Sequence, residues 1–179
     1  MVMPRSLWEN VSKTGSLAEI RGKICTAGPH ECLPANAFPL PADFHVKSVL
    51  DFGCGLGRNF PLLRKWADTI TGYDLPSMIE RCKEVEKADV FTSVWEEVRI
   101  LPFDATFVSL VLQHMLDTEV AAVITDFHDM SPLLLVASRI TLDSGRQLQP
   151  FIEEKFKERE IRWSDLHHDH FIAVYDRRE

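Results

Sequence analysis

Residues 49 to 59 read VLDFGCGLGRN, and residues 69 to 74 read TITGYD. The first stretch predicts a short apolar strand ending near an acid, a turn built on three glycines, and the start of a helix. The second predicts another apolar strand, which ends at Asp74. Glycines after a buried strand let the backbone approach a ligand closely, and an acid after the next strand can accept hydrogen bonds from a ribose diol. This layout indicates a site for a nucleotide-like ligand.

The spacing of the glycines narrows the choice of ligand. A dinucleotide fingerprint has a glycine three places after its second glycine, where this chain has Arg58. The chain also lacks a phosphate-binding GxxxxGK[ST] motif. Its glycines follow the pattern Gly53-x-Gly55-x-Gly57, with Asp51 at the end of the strand. This pattern resembles motif I of the class I S-adenosylmethionine-dependent methyltransferases.

The resemblance implies S-adenosylmethionine as the cofactor. In that family the glycine turn passes under the methionine part, the acid ending the second strand holds the ribose hydroxyls, and the acid ending the first strand orients the amino group. The corresponding cofactor-binding positions are Asp51, Gly53, Cys54, Gly55, Gly57, Asn59, Asp74, Leu75, Met78, Ser93, Val94, Trp95 and Leu110. Core packing explains Leu75 and Met78 equally well. Many family members have an aspartate after the third strand; its absence here leaves adenine recognition to Ser93 or backbone amides, with Trp95 as an apolar wall.

The alternation of strands and helices after residue 46 predicts an α/β fold with parallel strands and right-handed crossovers. Two last strands, at 160–163 and 171–176, are joined by a short loop and predict an antiparallel pair. The resembling family has a Rossmann-like three-layer sandwich, with a seven-stranded, mostly parallel sheet of order 3-2-1-4-5-7-6 whose strand 7 is antiparallel. We therefore expect a single domain over residues 1–179, with its core at 46–179.

Residues 1–45 are expected to form an N-terminal helix and an irregular lid segment. The apolar pattern predicts one amphipathic helix over residues 4–21, and four prolines make the following segment irregular. In the resembling family, the region before motif I often folds over the cofactor or the substrate. Trp8, Phe38 and Phe44 are therefore candidate lid residues, although ordinary packing of an N-terminal helix on the sheet is the favoured alternative. Farther along, a short helix at 93–98 is expected to have Ser93 as its N-cap.

The end of the predicted fourth strand carries the candidate acceptor-side residues. Residues 109–115 read SLVLQHM and follow the pair Phe103-Asp104. They resemble the motif IV region of methyltransferases that act on small molecules. The resemblance implies that Leu110 touches the cofactor and that Gln113 or His114 faces the substrate. His114 is the candidate general base, because an imidazole can take a proton near neutral pH; the alternative is a structural hydrogen bond to a neighbouring loop.

Composition limits the class of substrate and the compartment. Twenty basic and twenty-seven acidic residues give a net charge of −7, which disfavours long nucleic acids. A small-molecule substrate is expected. No apolar run approaches the length of a membrane span, the first residues do not resemble a signal peptide, and the four cysteines have no zinc-site spacing. We therefore expect a cytoplasmic protein that does not bind membranes.

The histidine-rich segment His167–His170 is the candidate metal site in the sequence. With Asp165 or Asp169 it has the donor atoms for a divalent metal, but a solvated polar turn is the favoured interpretation, so no metal is predicted.

Three questions stay open from the sequence. The segment at 138–150 is short for an acceptor pocket, so the acceptor site could be open, completed by the N-terminal segment, or shared with a second copy in a homo-oligomer or with a partner subunit. For the same reason, a non-catalytic S-adenosylmethionine-binding or regulatory subunit is an alternative to an enzyme. An NAD-dependent oxidoreductase is a more distant alternative.

Overall fold

A computed structural model describes residues 5–24, 37–38, 40–85, 87–142, 144–156, 160–167 and 170–176. Of the candidate residues, His168 and Asp169 lie outside the described residues, and so do the side chains of Asp165, His167 and His170. None of the helices within these ranges has the length and apolar content needed to cross a membrane.

Seven strands form one sheet of order β3-β2-β1-β4-β5-β7-β6. All neighbouring pairs are parallel except those made by β7, which is antiparallel to both β5 and β6. The predicted α/β fold, strand order and reversed strand are therefore confirmed. The strands are β1 Val46–Phe52, β2 Ala67–Tyr73, β3 Val90–Thr92, β4 Ala105–Ser109, β5 Leu133–Arg139, β6 Glu160–His167 and β7 His170–Asp176.

Helices connect the strands and cover the sheet. They are α1 Arg5–Thr14, α2 Leu17–Ile24, α3 Phe60–Leu63, α4 Pro76–Val85, α5 Trp95–Val98, α6 Asp117–Met130 and α7 Gln149–Phe156, with a 3-10 turn at Leu112–His114. The central strands are apolar throughout because both of their faces are buried. One core cluster joins Phe107 of β4 to α3 and α4, and the other joins its neighbour Val108 to α6 and α7. Three layers result.

Two local predictions were wrong. The single N-terminal helix is two helices, because the chain breaks at Gly15 and Ser16. The carboxylate of Glu19 accepts hydrogen bonds from the Ser16 amide and hydroxyl, at 2.7 and 2.9 Å, and so starts a new helix. The other error concerns α5, whose N-cap is Val94 with no side-chain cap, so Ser93 does not cap it.

Asp104 ties the N-terminal end of β4 to β1. Its carboxylate accepts hydrogen bonds from the amides of Lys47 and Ser48, at 3.0 and 2.8 Å, and from the Ser48 hydroxyl at 3.1 Å. Asp104 therefore helps to fix the register of the two central strands at the end of the sheet opposite the glycine turn. Ligands of open α/β sheets bind at the other edge, beyond the carboxyl ends of the strands.

Candidate functional site

The glycine turn leaves β1 in a conformation that only glycine adopts readily. Gly53, Gly55 and Gly57 have φ angles of 73°, 57° and 75°. At Gly53 a Cβ atom would also lie 2.2 Å from a methyl group of Val111, which follows β4. The turn therefore lies tightly against the end of β4, which brings motif I and motif IV together.

The amide groups of the turn are largely used inside the protein. The amides of Gly53 and Cys54 both donate to the Tyr73 carbonyl oxygen, at 2.8 and 3.1 Å, and the Gly57 amide donates to the Cys54 carbonyl at 2.8 Å. The Gly55 amide donates to a carboxylate oxygen of Asp74 at 2.7 Å. The glycines consequently let a ligand approach the backbone closely, but most of the amide groups described here are not free to donate hydrogen bonds to it.

Asp74 joins the glycine turn to the start of α4. One carboxylate oxygen accepts the Gly55 amide, and the other accepts the Leu75 amide at 2.7 Å. Burial raises the pKa of Asp74 to about 6, against the opposing effect of these two hydrogen bonds. A carboxylate has about four lone-pair sites. Both oxygens therefore keep capacity for further donors, such as ribose hydroxyls.

Asp51 is the most unusual charged group of the site. Its side chain is 1% exposed, and neither carboxylate oxygen has a hydrogen-bond partner. Burial raises the pKa of Asp51 to about 8; the nearby Arg58 guanidinium lowers it and the Asp74 carboxylate raises it further. A buried carboxylate without partners is costly, and such groups concentrate at functional sites.

Two other predicted cofactor residues of the turn are buried. The Asn59 side chain is 3% exposed, and its carbonyl oxygen is a second buried acceptor without a hydrogen bond. The Cys54 thiol lies in the core cluster of α3 and α4, where a hydrogen bond with Cys82 and burial raise the pKa of its thiol. Cys54 and Cys82 are both free thiols.

The predicted adenine-binding residues fall into two groups. Met78 is buried and packs with Leu56, Val11 and Ile20, and Leu75 packs against the same cluster. Ser93 is partly exposed and Val94 is exposed, next to the end of β3.

Trp95 belongs to the other face of the sheet. Its ring packs in the second core cluster, against Phe52 and Tyr73 at centroid distances of 5.2 and 5.1 Å. Its indole N–H donates to Asp126 of α6 at 2.9 Å. The indole group is therefore anchored in the fold, and its role beside adenine stays a prediction.

The end of β4 turns sharply at Leu110. This residue has a φ of 57°, the sole positive value among the non-glycine residues that the structure describes. Its amide donates to the Ala137 carbonyl of β5 at 2.7 Å, which holds the turn in place. Left-handed conformation at a leucine is costly and is typical of functional sites.

Gln113 and His114 follow in the 3-10 turn. The Gln113 carbonyl oxygen accepts hydrogen bonds from the Ser138 hydroxyl at 3.3 Å and the Arg139 amide at 3.1 Å. Its amide nitrogen must therefore be the donor in the 3.2 Å contact with His114 Nε2. His114 thus receives a hydrogen bond at Nε2, so the neutral ring carries its proton on Nδ1. Gln113 is 5% exposed and links the turn to β5.

The N-terminal aromatic residues separate into lid and core. The Trp8 ring of α1 lies 5.9 Å from the His114 ring, so α1 reaches the end of β4. Phe38 contacts the rings of Trp66 and Phe107, and Phe44 contacts Trp66, all inside the first core cluster. Trp8 is therefore placed as a lid residue would be, whereas Phe38 and Phe44 pack in the core.

Sequence reasoning missed two residues near this site, Arg58 and Ser109. The Arg58 guanidinium lies 3.4 Å from the Ser109 hydroxyl at the end of β4 and affects Asp51 electrostatically. Arg58 lies inside the glycine stretch, where its only signal in the sequence is that it replaces the third glycine of a dinucleotide fingerprint. As for metals, the described residues contain no group of three or more metal-ligating side chains.

One family model accounts for most of the sequence. Described as a methyltransferase domain, it matches residues 20–179, from α2 to the end of the chain. The chain belongs to this methyltransferase family. The predictions of family and of enzyme class are thereby confirmed, and the NAD-dependent oxidoreductase loses its support. None of the curated proteins compared with this methyltransferase matches it significantly.

Solved structures agree with the fold. The N-methyltransferase NodS from Bradyrhizobium japonicum WM9, in complex with S-adenosyl-L-homocysteine, has a TM-score of 0.58 and 17% identity, covering 75% of this chain and 80% of its own. Magnesium protoporphyrin IX methyltransferase from Synechocystis PCC 6803, with bound S-adenosylmethionine, has a TM-score of 0.56 and 17% identity, covering 74% and 71%. Mitomycin 7-O-methyltransferase has a TM-score of 0.57 and 13% identity, covering 79% and 51%. At these identities the similarity establishes the fold.

Proposed function

We propose that this methyltransferase transfers the methyl group of S-adenosylmethionine to a small molecule. The observation that carries the proposal is the buried Asp51 carboxylate, which has no hydrogen-bond partner and lies under a glycine turn. An ammonium group would supply the missing donors and the missing positive charge. The methionine part of the cofactor has such a group, so the residues present fit it.

The other parts of the cofactor have matching residues. Asp74 keeps lone pairs for ribose hydroxyls. Leu75, Met78, Ser93 and Val94 are the residues proposed for adenine. The bound cofactor would supply a methyl group on a sulfonium, which is intrinsically activated. The protein's contribution is then to position the acceptor and to exclude water. Helix α1 contributes to that exclusion, since its Val11 packs on Leu56 of the turn and its Trp8 contacts His114.

His114 is proposed as the base that takes a proton from the acceptor. It lies beyond the end of β4, and its Nε2 lone pair accepts a hydrogen bond from the Gln113 amide, so the acceptor group has to displace that amide before the ring can take its proton. Gln113 is then a positioning residue, because its carbonyl oxygen is bound to β5 and its amide holds the imidazole ring.

A small acceptor is favoured by charge and by the structural neighbours. The net charge of −7 opposes a phosphate-tracking surface. NodS is an N-methyltransferase and the mitomycin enzyme a 7-O-methyltransferase, so this fold serves both nitrogen and oxygen acceptors. Two buried free thiols, Cys54 and Cys82, agree with a reducing compartment, and we propose the cytoplasm.

Two measurements test the proposal. Calorimetry should detect tight binding of S-adenosylhomocysteine and little or no binding of NAD. Incubation with S-adenosylmethionine and a panel of small hydroxyl, amine and carboxyl acceptors should yield S-adenosylhomocysteine. Absence of S-adenosylhomocysteine binding would overturn the cofactor assignment. Binding without turnover across the panel, together with a co-purifying partner, would favour the non-catalytic subunit.

A further inference from the structure

Two cysteine thiols lie in contact beside the glycine turn, and neither has a part in the proposed methyl transfer. Cys54 stands between Gly53 and Gly55 in the turn, and Cys82 lies in α4. Both side chains belong to the first core cluster, with exposures of 3% and 0%. The two thiols are hydrogen-bonded to each other, and both are free of disulfides. They therefore form a reduced dithiol pair that joins the glycine turn to a helix.

The Cys54 sulfur atom is closely packed. It lies 3.2 Å from the place where a Cβ atom on Gly72 would stand, so this glycine of β2 leaves the space that the sulfur fills. It also lies 3.9 Å from the Gly55 carbonyl oxygen of the turn. Close packing leaves the side chain little room to move alone. A covalent bond from Cys54 to Cys82 must therefore draw the turn and α4 toward each other.

The surroundings of the pair decide when it can react. Only a thiolate attacks an oxidant efficiently, and the hydrogen bond with Cys82 together with burial raises the pKa of the Cys54 thiol. While the turn is closed, this thiol is therefore protonated, shielded from solvent and slow to oxidise. Local opening of the turn exposes the sulfur to a small oxidant such as hydrogen peroxide. A ligand that binds only the closed turn opposes this opening.

We propose that Cys54 and Cys82 form a reversible disulfide when the ligand-free protein meets hydrogen peroxide, and that this bond switches cofactor binding off. The Cys54 thiolate attacks one peroxide oxygen and becomes a sulfenic acid, while the other oxygen leaves as hydroxide and takes up the proton that the thiol released. The Cys82 thiol then attacks the Cys54 sulfur, which forms the S–S bond and releases a second water molecule. The two sulfur atoms together lose two electrons, and the peroxide gains them.

The disulfide acts on the turn that the proposed function assigns to the cofactor, so the switching of binding rests on that function. A covalent S–S bond is shorter than a hydrogen bond between two thiols. Forming it shifts Cys54 and with it the Gly55 amide, which holds the Asp74 carboxylate. A ribose hydroxyl bound to that carboxylate makes a charge-assisted hydrogen bond, and loss of one such bond lowers affinity by roughly ten- to hundred-fold. Disulfides of cytosolic proteins are usually transient and redox-sensing, which agrees with a reversible switch.

The test uses the full chain with Cys25→Ser and Cys32→Ser, which leaves Cys54 and Cys82 as its thiols. Hydrogen peroxide should convert both thiols of the ligand-free protein into one disulfide, found by mass spectrometry as a peptide that joins the two residues. Calorimetry should then show binding of S-adenosylhomocysteine weakened by roughly ten- to hundred-fold, and dithiothreitol should restore it. Added beforehand at one hundred times its Kd, S-adenosylhomocysteine should slow the crosslinking by about a hundred-fold.

A matched variant separates the disulfide from oxidation of a single thiol. Cys82→Ala in the same background lacks the partner thiol, so it should keep its affinity after the same peroxide treatment. Equal loss of affinity in this variant would overturn the switch. Should Cys82→Ala fail to fold, the comparison of reduced, oxidised and re-reduced protein decides by itself.

The remaining outcomes distinguish the disulfide from the cofactor assignment. If both thiols survive a peroxide dose that oxidises the urea-unfolded chain, the disulfide is refuted. A crosslink that leaves the affinity for S-adenosylhomocysteine unchanged, or that forms equally fast with this ligand bound, refutes the control of cofactor binding. If the reduced protein does not bind S-adenosylhomocysteine, the proposed function has failed and the switch with it, whereas the crosslink is still judged by its mass.

Discussion

Burial of the Asp51 carboxylate costs stability, and its binding of the cofactor is a proposal. Burial raises the pKa of Asp51 from the ordinary aspartate value of 3.8 to about 8. Between these values the native state holds more protons than the unfolded state, so stability falls as the pH rises from about 4 to about 8. The loss is complete above pH 8, where the buried group is ionised.

Replacing Asp51 with Asn should remove this part of the pH dependence. The Asp51→Asn variant cannot ionise, so it should keep the free energy of unfolding that the wild type loses as the pH rises. Without cofactor it should therefore be the more stable protein above pH 8. The wild type loses up to about 1.4 kcal/mol for each unit of pH between the two pKa values. Urea unfolding between pH 5 and pH 9.5 measures the difference. The control is Asp43→Asn, at an exposed position, which should keep the wild-type profile. Parallel profiles for wild type and Asp51→Asn would contradict the assigned burial cost.

Leu110 gives a second test at the level of one residue. Its φ of 57° favours glycine over any residue with a Cβ. Leu110→Ala and Leu110→Gly lose the same packing of the leucine side chain. The difference between their free energies of unfolding therefore reports the cost of the backbone conformation. We expect the glycine variant to be more stable by roughly 0.5–1 kcal/mol, after allowing for the greater chain entropy of unfolded glycine. At Leu101, an exposed position without a positive φ, alanine should instead be the more stable of the two. The same order at both positions in urea unfolding would contradict the backbone argument.

Helix α1 is held on the body of the protein mainly through α4. The Arg81 guanidinium of α4 lies 3.4 Å from the Ser12 carbonyl oxygen and 3.5 Å from that of Gly15, and the hydroxyls of Ser12 and Ser77 are 2.5 Å apart. The carbonyl groups at the C-terminal end of α1 are orphaned and carry partial negative charge. Arg81 therefore anchors the C-terminal end of α1, the helix in which Trp8 is proposed as a lid residue.

Substituting Arg81 should loosen α1 selectively. Loss of a cation at a helix C-terminus costs about 0.3–1 kcal/mol, so amide exchange in residues 8–14 should be roughly two- to five-fold faster in Arg81→Met. Hydrogen exchange followed by mass spectrometry measures this. Lys83→Met alters the same helix, but Lys83 pairs with Glu80 at 2.9 Å and should leave α1 unchanged. Equal acceleration in both variants would indicate general destabilisation of α4 instead.

The elements of the sheet were predictable because their signals are local. Apolar runs such as residues 133–137 indicate buried strands by themselves, and turn residues separate them. The break in the N-terminal helix was also readable, since SLAE at residues 16–19 is a capping-box sequence. The Ser93 cap failed because hydroxyl residues before a helix are a weak signal for its exact start.

The site was predictable only in part because its key contacts are long-range. The glycines and Asp74 can be recognised from their spacing along the chain. The contact of Arg58 with Ser109 joins residues 51 positions apart, and the contact of Trp8 with His114 depends on how α1 docks. Likewise, Gln113 looks like a substrate residue in sequence, while its carbonyl oxygen is bound to the end of β5. No periodicity or local spacing encodes these pairings.

At the scale of the whole molecule, the sheet order gathers the site from separate parts of the chain. Asp51 lies in β1, the glycine turn follows β1, Asp74 follows β2, and Leu110 to His114 follow β4. These three strands are neighbours in the sheet though distant in sequence. A ligand that contacts all three segments binds only the assembled sheet and has little affinity for the unfolded chain. Cofactor binding should therefore stabilise the domain as a unit.

The expected size of that stabilisation can be calculated from mass action. A ligand at one hundred times its Kd adds about 2.7 kcal/mol, which corresponds to a rise in Tm of roughly 5–10 °C for a domain of this size. Thermal unfolding with S-adenosylhomocysteine should reach this value in one transition, whereas NAD should leave the Tm unchanged. In Asp74→Ala, a ten-fold loss of affinity should roughly halve the shift at the same ligand concentration, because the stabilisation depends on the logarithm of the ligand concentration divided by Kd. An equal shift in Asp74→Ala and wild type would remove Asp74 from the cofactor site, and an equal shift with NAD would remove the preference for S-adenosylmethionine.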